Sequence, residues 1–283
     1  MTENGSSVAV KAKPPLKIAL GGFGNVARQL VHAIKNRPEL GLEISAVSAQ
    51  DIGAAAVRAR ELGLDVPAVD ADRLPAHADV IVECATYEGF RPIVEPAVRA
   101  GTHVVCVSIG ALGVNMDLID LAAEHGGTIQ IANGAMPGLD ILRCAREGEI
   151  EFVRLTSHIL PRSLAHEIYV TERGIDLGRA ESEPVQIFVG SAREAARHFP
   201  RHFNVAVALS LAGIGLDRTQ ITIFADGQLP GARHTVRVKS AAIDLEMTSQ
   251  NYPSIENNRT SRIVAPSILA ALGELHGPLR VGS

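Results

Sequence analysis

The first residues whose types and spacing could do chemistry form a glycine-rich turn near the start of the chain. Gly22-x-Gly24-x-x-Ala27 follows the apolar run LKIAL and precedes a helical pattern. This is the pattern of a dinucleotide-binding turn, in which each small residue lets the backbone turn, approach a pyrophosphate or pack on its strand. The helix N-terminus would offer unpaired N–H groups to the phosphates, so Asn25 and Val26 join the predicted cofactor contacts. By itself the pattern is also compatible with a turn that binds nothing.

The elements around this turn favour the dinucleotide interpretation. Short apolar runs, typical of strands buried on both faces, alternate with helical segments of about ten to twelve residues. Such alternation predicts an α/β fold with a Rossmann-type, doubly wound parallel sheet, and the turn follows its first strand. The predicted strands are LKIAL, EISAVS, VPAV, ADVIVECAT, HVVCVSIG and TIQIA.

The pattern changes after residue 133, where strands follow one another with few helices between them. We therefore expect a second, α+β domain with a mostly antiparallel sheet. The predicted domains are a flexible tail (1–15), a dinucleotide-binding domain (16–134) and a catalytic domain (135–254), with 255–283 returning to pack on the first. The predicted strands of the second sheet are EFVRLTSHIL, VQIFVG, ITIFA, HTVRVKS and AIDLEMTS.

Composition narrows the classes of partner. A net charge of −4 gives no basic surface for nucleic acid. No apolar run approaches the roughly 20 residues needed to span a bilayer, and the start of the chain has no signal-peptide pattern. We therefore expect a cytoplasmic protein that acts on a small molecule. Cys84, Cys106 and Cys144 lie in apolar runs without metal-ligand spacing, which predicts buried thiols and no metal site.

The end of the second predicted strand bears on which dinucleotide is bound. NAD-specific folds place an acidic residue there to bind the ribose 2′-hydroxyl. Here Ser48 and Gln50 occupy the strand end and Asp51 comes slightly late. Ser48 and Gln50 could bond a 2′-phosphate, with Arg58 or Arg60 supplying charge, although both arginines could equally be solvated. The sequence therefore favours NADP without excluding NAD.

Nicotinamide chemistry also needs a proton-transfer group, and histidine is the commonest because its pKa lies near neutrality. Of the ten histidines, His158, His166 and His234 lie in the second domain away from obvious surface patterns. His234 begins a strand after the turn-rich segment DGQLPGAR, where a side chain could project from a rim into a cleft. A histidine that is merely satisfied at that rim is the alternative.

The chain resembles the L-aspartate dehydrogenase family along nearly its whole length. The resemblance rests on several separated stretches whose order and spacing match that family. These stretches are VSIGAL (107–112), NGAMPGLD (133–140), GSAREAARHFP (190–200), NVAVALSLAG (204–213) and PSIENNRTS (253–261).

This resemblance implies an activity and a set of roles. The activity is reversible, NAD(P)-dependent oxidative deamination of L-aspartate to oxaloacetate and ammonia through iminoaspartate, which links it to nicotinamide-ring biosynthesis. The histidine of ARHTVRV, His234, is then the catalytic acid/base, and Ala135 and Asn204 contact the nicotinamide side of the cofactor. Structural alternatives are a packing role for Ala135 and a helix cap for Asn204.

One segment departs from the family pattern. Where the family has basic residues, resembling TRKPP, this chain has SHILPRS, with His158 and Ile159 at those places. A dicarboxylate needs cationic partners, so we expect His158 and Arg162 near the substrate, with Arg233 or Arg262 as further sources of charge.

Other functions stay open at this point. One is a dehydrogenase or reductase for another amino or keto acid. Reductases of similar layout that act on semialdehydes, imines or sugars commonly use a lysine, and Lys239, the only lysine after Lys35, looks peripheral. A third is a non-catalytic NADP(H)-binding protein. The exposed sheet face of second domains of this two-domain type often pairs with a second copy, so we also expect a homodimer.

Overall fold

The first sheet lies in the N-terminal half of the chain. In the computed structural model, which describes residues 13–199, 204–254 and 260–281, five parallel strands are arranged in the order β2-β1-β3-β4-β5. Consecutive strands are connected through helices, so the carboxyl ends of all five strands meet at one edge. The strands are β1 (Leu16–Gly21), β2 (Leu42–Ser48), β3 (Val80–Glu83), β4 (His103–Cys106) and β5 (Thr128–Ile131).

The second sheet lies in the following half of the chain and is mostly antiparallel, in the order β10-β9-β6-β8-β7. Only β6 and β8 run parallel to each other, while the other three pairs are antiparallel. The predicted fold class is confirmed for both sheets. The strands are β6 (Ile150–Ile159), β7 (Val185–Ser191), β8 (Gln220–Ala225), β9 (Arg233–Ser240) and β10 (Asp244–Gln250).

Helices cover both sheets and build an aliphatic core. Each of the longer helices turns a strip of Ala, Val, Ile and Leu inward, which removes apolar surface from water. The first-domain helices are α1 (Asn25–Lys35), α2 (Ile52–Glu61), α3 (Phe90–Arg99), α4 (Ile109–Leu112) and α5 (Asp117–His125). The remaining helices are α6 (Leu139–Ala145), α7 (Pro161–Leu164), α8 (Ile168–Glu172), α9 (Ala192–His198), α10 (Asn204–Ala212) and α11 (Val264–His276).

The last helix returns to the first sheet. Ala265, Ile268 and Leu272 of α11 are buried in one apolar cluster with residues of β1, β2 and α1. This return brings the segment before α11 to the edge of the first sheet. Residues 1–12 of the predicted tail (1–15) lie outside the described residues. In the predicted returning segment (255–283), residues 255–259 and 282–283 also lie outside them.

Three local predictions were wrong. VPAV forms only an isolated bridge from Val47 to Ala68, because Pro67 has no N–H to donate to a ladder. Cys144 is exposed on α6, whereas a buried thiol was expected. Helical spacing predicts a last helix over 260–275, whereas the helix begins at Val264, since the residues just before it form turns.

Within the described residues, no helix is long and apolar enough to cross a bilayer.

Candidate active site

A cleft of about 320 Å³ lies between the carboxyl edge of the first sheet and the second sheet. The loops after β3, β4 and β5 line one side, and the N-terminal part of α10 and the start of β9 line the other. Thr260 and Ser261, just before α11, also line the cleft. Ligands of open α/β sheets bind at this edge, because the strand ends and helix N-termini meet there.

The glycine turn borders the cleft in the conformation that its residue types predict. Gly22 has a φ of +92°, and a Cβ on it would come within 2.7 Å of the backbone of Ala85. Its N–H donates to the carbonyl oxygen of Ser48 at 2.9 Å, which ties the turn to the end of β2. Gly24 leads into α1, and a Cβ there would meet open space. The turn therefore requires glycine at Gly22 for steric reasons and leaves the helix N-terminus accessible.

Asn25 supplies a test of whether a dinucleotide fits this cradle. Its side-chain oxygen and nitrogen are both buried and make no hydrogen bond to any residue that the structure describes. Buried polar atoms without partners cost free energy, so they are found where a ligand or water supplies the partner. At the first turn of α1, beside Gly24, Val26 and Ala27, such a partner fits the phosphate end of a dinucleotide.

The end of β2 carries the predicted ribose-side residues. Ser48 is buried and Gln50 is exposed. The carboxylate of Asp51 accepts a hydrogen bond from the N–H of Ala54 at 2.8 Å, and so caps α2. Arg58 of α2 places one guanidinium nitrogen 3.5 Å from the carbonyl oxygen of Phe23 in the glycine turn. The acidic residue of this region thus has a structural role, and an arginine lies beside the turn.

Glu83 organises the opposite wall of the cleft. Its carboxylate is fully buried and accepts hydrogen bonds from the backbone N–H groups of Ala85 (2.8 Å), Val107 (3.2 Å) and Ser108 (3.0 Å). Burial raises the pKa of Glu83, and the backbone hydrogen bonds oppose that rise. All three donors line the cleft. Glu83 is not among the predicted site residues, although a charged residue inside the apolar run ADVIVECAT is a signal of a buried functional group.

Two predicted nicotinamide contacts lie in the cleft lining. Asn204 accepts a hydrogen bond from the N–H of Gly110 at 2.8 Å through its side-chain oxygen, which joins α10 to the short helix α4. Its amide N–H groups are thereby the part of the side chain left for a ligand. The carbonyl oxygen of Ala135 accepts a hydrogen bond from Ser249 at 3.1 Å, which ties the loop after β5 to β10.

His234 projects into the cleft from the start of β9 and is only 5% exposed. Its Nδ1 lies 2.9 Å from the Oγ of Ser157, which is fully buried on the neighbouring strand β6. Burial lowers the pKa of His234 to about 4, so the ring is neutral at neutral pH. A neutral imidazole held at one nitrogen is equipped to take up a proton at the other.

His158 and Arg162, the predicted substrate contacts, lie outside the cleft lining. Side chains alternate across a strand, so His158 points to the face of β6 opposite Ser157. There it stacks on Phe224 and bonds the buried carboxylate of Asp226 at 2.9 Å. Arg162 is exposed on the short helix α7. The structure therefore does not bring either residue to His234.

A second, more open cavity of about 460 Å³ adjoins the cleft and shares several lining residues with it. Arg262 lines it, and its Nε donates to the carbonyl oxygen of Pro253 at 2.8 Å. The hydroxyl of Ser261, which lines both cavities, is buried and has no hydrogen-bond partner in the described part of the chain. Among the described residues that line either cavity, Arg262 is the arginine or lysine that a carboxylate could use. The shared residues are Gly134, Ala135, Asn251, Tyr252 and Ser261.

Family models match both halves of the chain. Residues 140–275 match the model described as aspartate dehydrogenase, C-terminal, and residues 22–132 match the model described as homoserine dehydrogenase, NAD binding domain. Among solved structures, aspartate dehydrogenase from Thermotoga maritima superposes with a TM-score of 0.71 at 23% identity, covering 94% of this chain and 99% of that one. At that identity the superposition supports the fold.

Curated relatives match over almost the full length. L-aspartate dehydrogenase 3 from Bordetella bronchiseptica is 40% identical over 274 residues, which is 97% of this chain and 100% of the relative. L-aspartate dehydrogenase from Bradyrhizobium diazoefficiens is 37% identical over 272 residues, or 96% of each chain. The chain has a Rossmann-type sheet, a histidine in the cleft at its edge, and relatives at 37–40% identity over almost its full length. It therefore belongs to the L-aspartate dehydrogenase family of NAD(P)-dependent amino-acid dehydrogenases.

Proposed function

We propose that this protein catalyses the reversible, NAD(P)-dependent oxidative deamination of L-aspartate to oxaloacetate and ammonia through iminoaspartate. The observation that carries the proposal is the position of His234, neutral and nearly buried, in the cleft that the glycine turn also borders. A bound nicotinamide supplies the chemistry of hydride transfer by accepting hydride from the α-carbon of the substrate.

Residues of the chain then transfer the proton and activate the water molecule. His234 takes a proton from a water molecule as that water attacks the α-carbon of the iminium form of the substrate. The proton then passes to the nitrogen, and His234 takes the remaining hydroxyl proton as the carbon–nitrogen bond breaks, so that ammonia leaves and the carbonyl forms. In the reverse direction His234 returns the proton to the departing oxygen. Asn204, whose amide oxygen is occupied by Gly110, is left to donate to the carboxamide or ribose of the cofactor.

The test follows formation of reduced nicotinamide with L-aspartate under alkaline conditions. We expect activity in the unaltered protein and a loss of at least about a hundredfold in kcat for His234→Ala, because general acid–base catalysis contributes at least that much. Binding of the reduced cofactor should persist in the variant. His166→Ala, which removes an exposed histidine of the same domain, is the matched control. Undiminished turnover in His234→Ala would refute the assignment.

We further propose that NADP is the preferred cofactor. Asp51 is engaged as a helix cap, and Arg58 lies beside the glycine turn, where it can meet a 2′-phosphate together with Gln50. We expect a higher kcat/KM with NADP than with NAD, and a loss of that difference in Arg58→Gln. Arg60→Gln, on the same helix, is the control. A higher kcat/KM with NAD in the unaltered protein would contradict the proposal.

The substrate's side-chain carboxylate is assigned to the second cavity. Arg262 supplies the positive charge there, and the unpartnered hydroxyl of Ser261 supplies a hydrogen-bond donor where the two cavities meet. Both groups suit a carboxylate, which accepts hydrogen bonds and carries negative charge.

A homodimer is proposed as the assembly, and light scattering of the purified protein tests it: a mass near 60 kDa is expected from a chain of 29.9 kDa.

A further inference from the structure

Ser157 and His234 form a buried pair, in which His234 lines the cleft and Ser157 lies on the neighbouring strand β6. The Oγ of Ser157 lies 2.9 Å from Nδ1 of His234, and the two residues face each other across the antiparallel pair β6 and β9. Ser157 is fully buried and His234 is 5% exposed, so neither group exchanges this contact for bulk water. The geometry leaves Nε2 as the ring nitrogen open to a ligand.

The direction of this hydrogen bond decides what the ring can do. If the hydroxyl donated to Nδ1, the neutral ring would carry its proton on Nε2 and could not accept a proton there. If Nδ1–H donates to the hydroxyl oxygen, Nε2 holds a lone pair and can act as a base. That second arrangement also persists in the protonated ring, because both ring nitrogens then carry protons. One fixed hydrogen bond therefore serves both halves of a reversible proton transfer.

The chemical type of the group at Nδ1 affects how readily the His234 ring takes up a proton. A carboxylate at Nδ1 would favour the charged ring, whereas a serine hydroxyl carries no charge and does not. Among the described residues that line the cleft, Cys84 and Tyr252 are the other titratable side chains, and no carboxylate lies among them. A neutral partner thus orients the ring without holding it protonated.

We infer that Ser157 is a positioning residue, whose Oγ accepts the Nδ1–H of His234 and so reserves Nε2 for proton transfer with the substrate. This inference rests on the proposed acid/base role of His234 and adds a second residue, from a different strand, to that role. Ser157 itself does not contact the reacting atoms.

The first experiment measures the tautomer in the unaltered protein. The ¹⁵N chemical shifts of the His234 ring, assigned by their absence in His234→Gln, should show a proton on Nδ1 and none on Nε2 at neutral pH. This measurement needs no variant of Ser157. A neutral ring protonated on Nε2 overturns the inference.

The second experiment compares variants. Ser157→Ala should lower kcat by about tenfold or more, a part of what acid–base catalysis contributes, with little change in KM for the cofactor. Ser157→Thr keeps the hydroxyl and should restore most of the rate. Ser210→Ala is the matched control: it also removes a buried hydroxyl with one hydrogen bond, to the carbonyl oxygen of Ala206 in α10, and should keep kcat.

The pH dependence separates positioning from packing. Loss of the Nδ1 partner should shift the acid limb of kcat/KM in Ser157→Ala, while Ser157→Thr and Ser210→Ala keep the limb of the unaltered protein. A Ser157→Ala variant with unchanged kcat and an unchanged profile overturns the inference if His234→Ala is inactive. Activity retained in His234→Ala instead refutes the proposed function, so the two failures are distinguishable.

Discussion

At the scale of single residues, His234 couples the candidate chemistry to the stability of the fold. Burial lowers its pKa to about 4, well below the ordinary value of 6.5. Between these two pH values the unfolded chain holds a proton on this residue and the folded chain does not. The free energy of unfolding therefore rises with pH across this window and falls as the solution is acidified.

The expected change follows from the size of the pKa shift. The contribution of His234 is fully present above about pH 6.5, and about 3 kcal/mol of the free energy of unfolding should be lost between there and pH 4. Urea unfolding at several pH values measures this slope. His234→Asn should flatten it, and His166→Ala should leave it unchanged. An equally steep slope in His234→Asn would contradict the burial argument.

Among the elements, Glu83 connects the ends of β3 and β4. Its carboxylate satisfies three backbone N–H groups from the two loops that line one wall of the cleft. Ser108 adds a bond from its hydroxyl to the carbonyl oxygen of Ala85 at 2.9 Å. A buried carboxylate is costly unless it is fully hydrogen-bonded, and this one replaces backbone contacts that the loops cannot make with each other.

Glu83→Gln tests this element-scale role. An amide presents its NH₂ group to at least one backbone donor, so we expect the free energy of unfolding to fall by about 3 kcal/mol and the Kd for reduced cofactor to rise. Chemical denaturation and fluorescence titration measure the two effects. Glu95→Gln, which breaks surface ion pairs with Arg91 and Arg99, should cost less than about 1 kcal/mol. Equal losses in both variants would contradict a special role for Glu83.

At the scale of the whole molecule, segments that lie far apart in the chain come together around one cleft. The loop after β5, the end of β10 and the segment before α11 together form the second cavity. The hydrogen bond between Asn204 and Gly110 joins helix α10, in the C-terminal half of the chain, to helix α4, in the N-terminal half. Substrate and cofactor would therefore meet where both halves of the chain contribute.

Arg262→Gln tests the substrate end of this arrangement. We expect KM for L-aspartate to rise about tenfold or more, because a charged hydrogen bond to a carboxylate contributes about 1.5 kcal/mol or more. KM for the cofactor should change little. Arg280→Gln is the matched control, since its Nε likewise donates to a backbone carbonyl, that of Glu274 at 3.2 Å, away from both cavities. An unchanged KM for L-aspartate in Arg262→Gln would remove this residue from the substrate site.

Local sequence was sufficient for much of the fold. Periodicity predicted both sheets and the longer helices but not the short helices α4, α7 and α8, because amphipathic spacing and strand-length apolar runs act over several residues. It failed at VPAV, where one proline prevented a ladder, and at Cys144, where an apolar neighbourhood did not mean a buried side chain.

The sequence by itself determined that a nucleotide turn follows the first strand, that the core is aliphatic and that the stretches around Asn204 and His234 resemble one enzyme family. Only the tertiary structure decided which side chains share the cleft. Ser157 meets His234 through strand register, Glu83 meets Ser108 through parallel strand order, and His158 turns away through side-chain alternation. These contacts join residues far apart in the chain, so no local pattern of residue types could specify them.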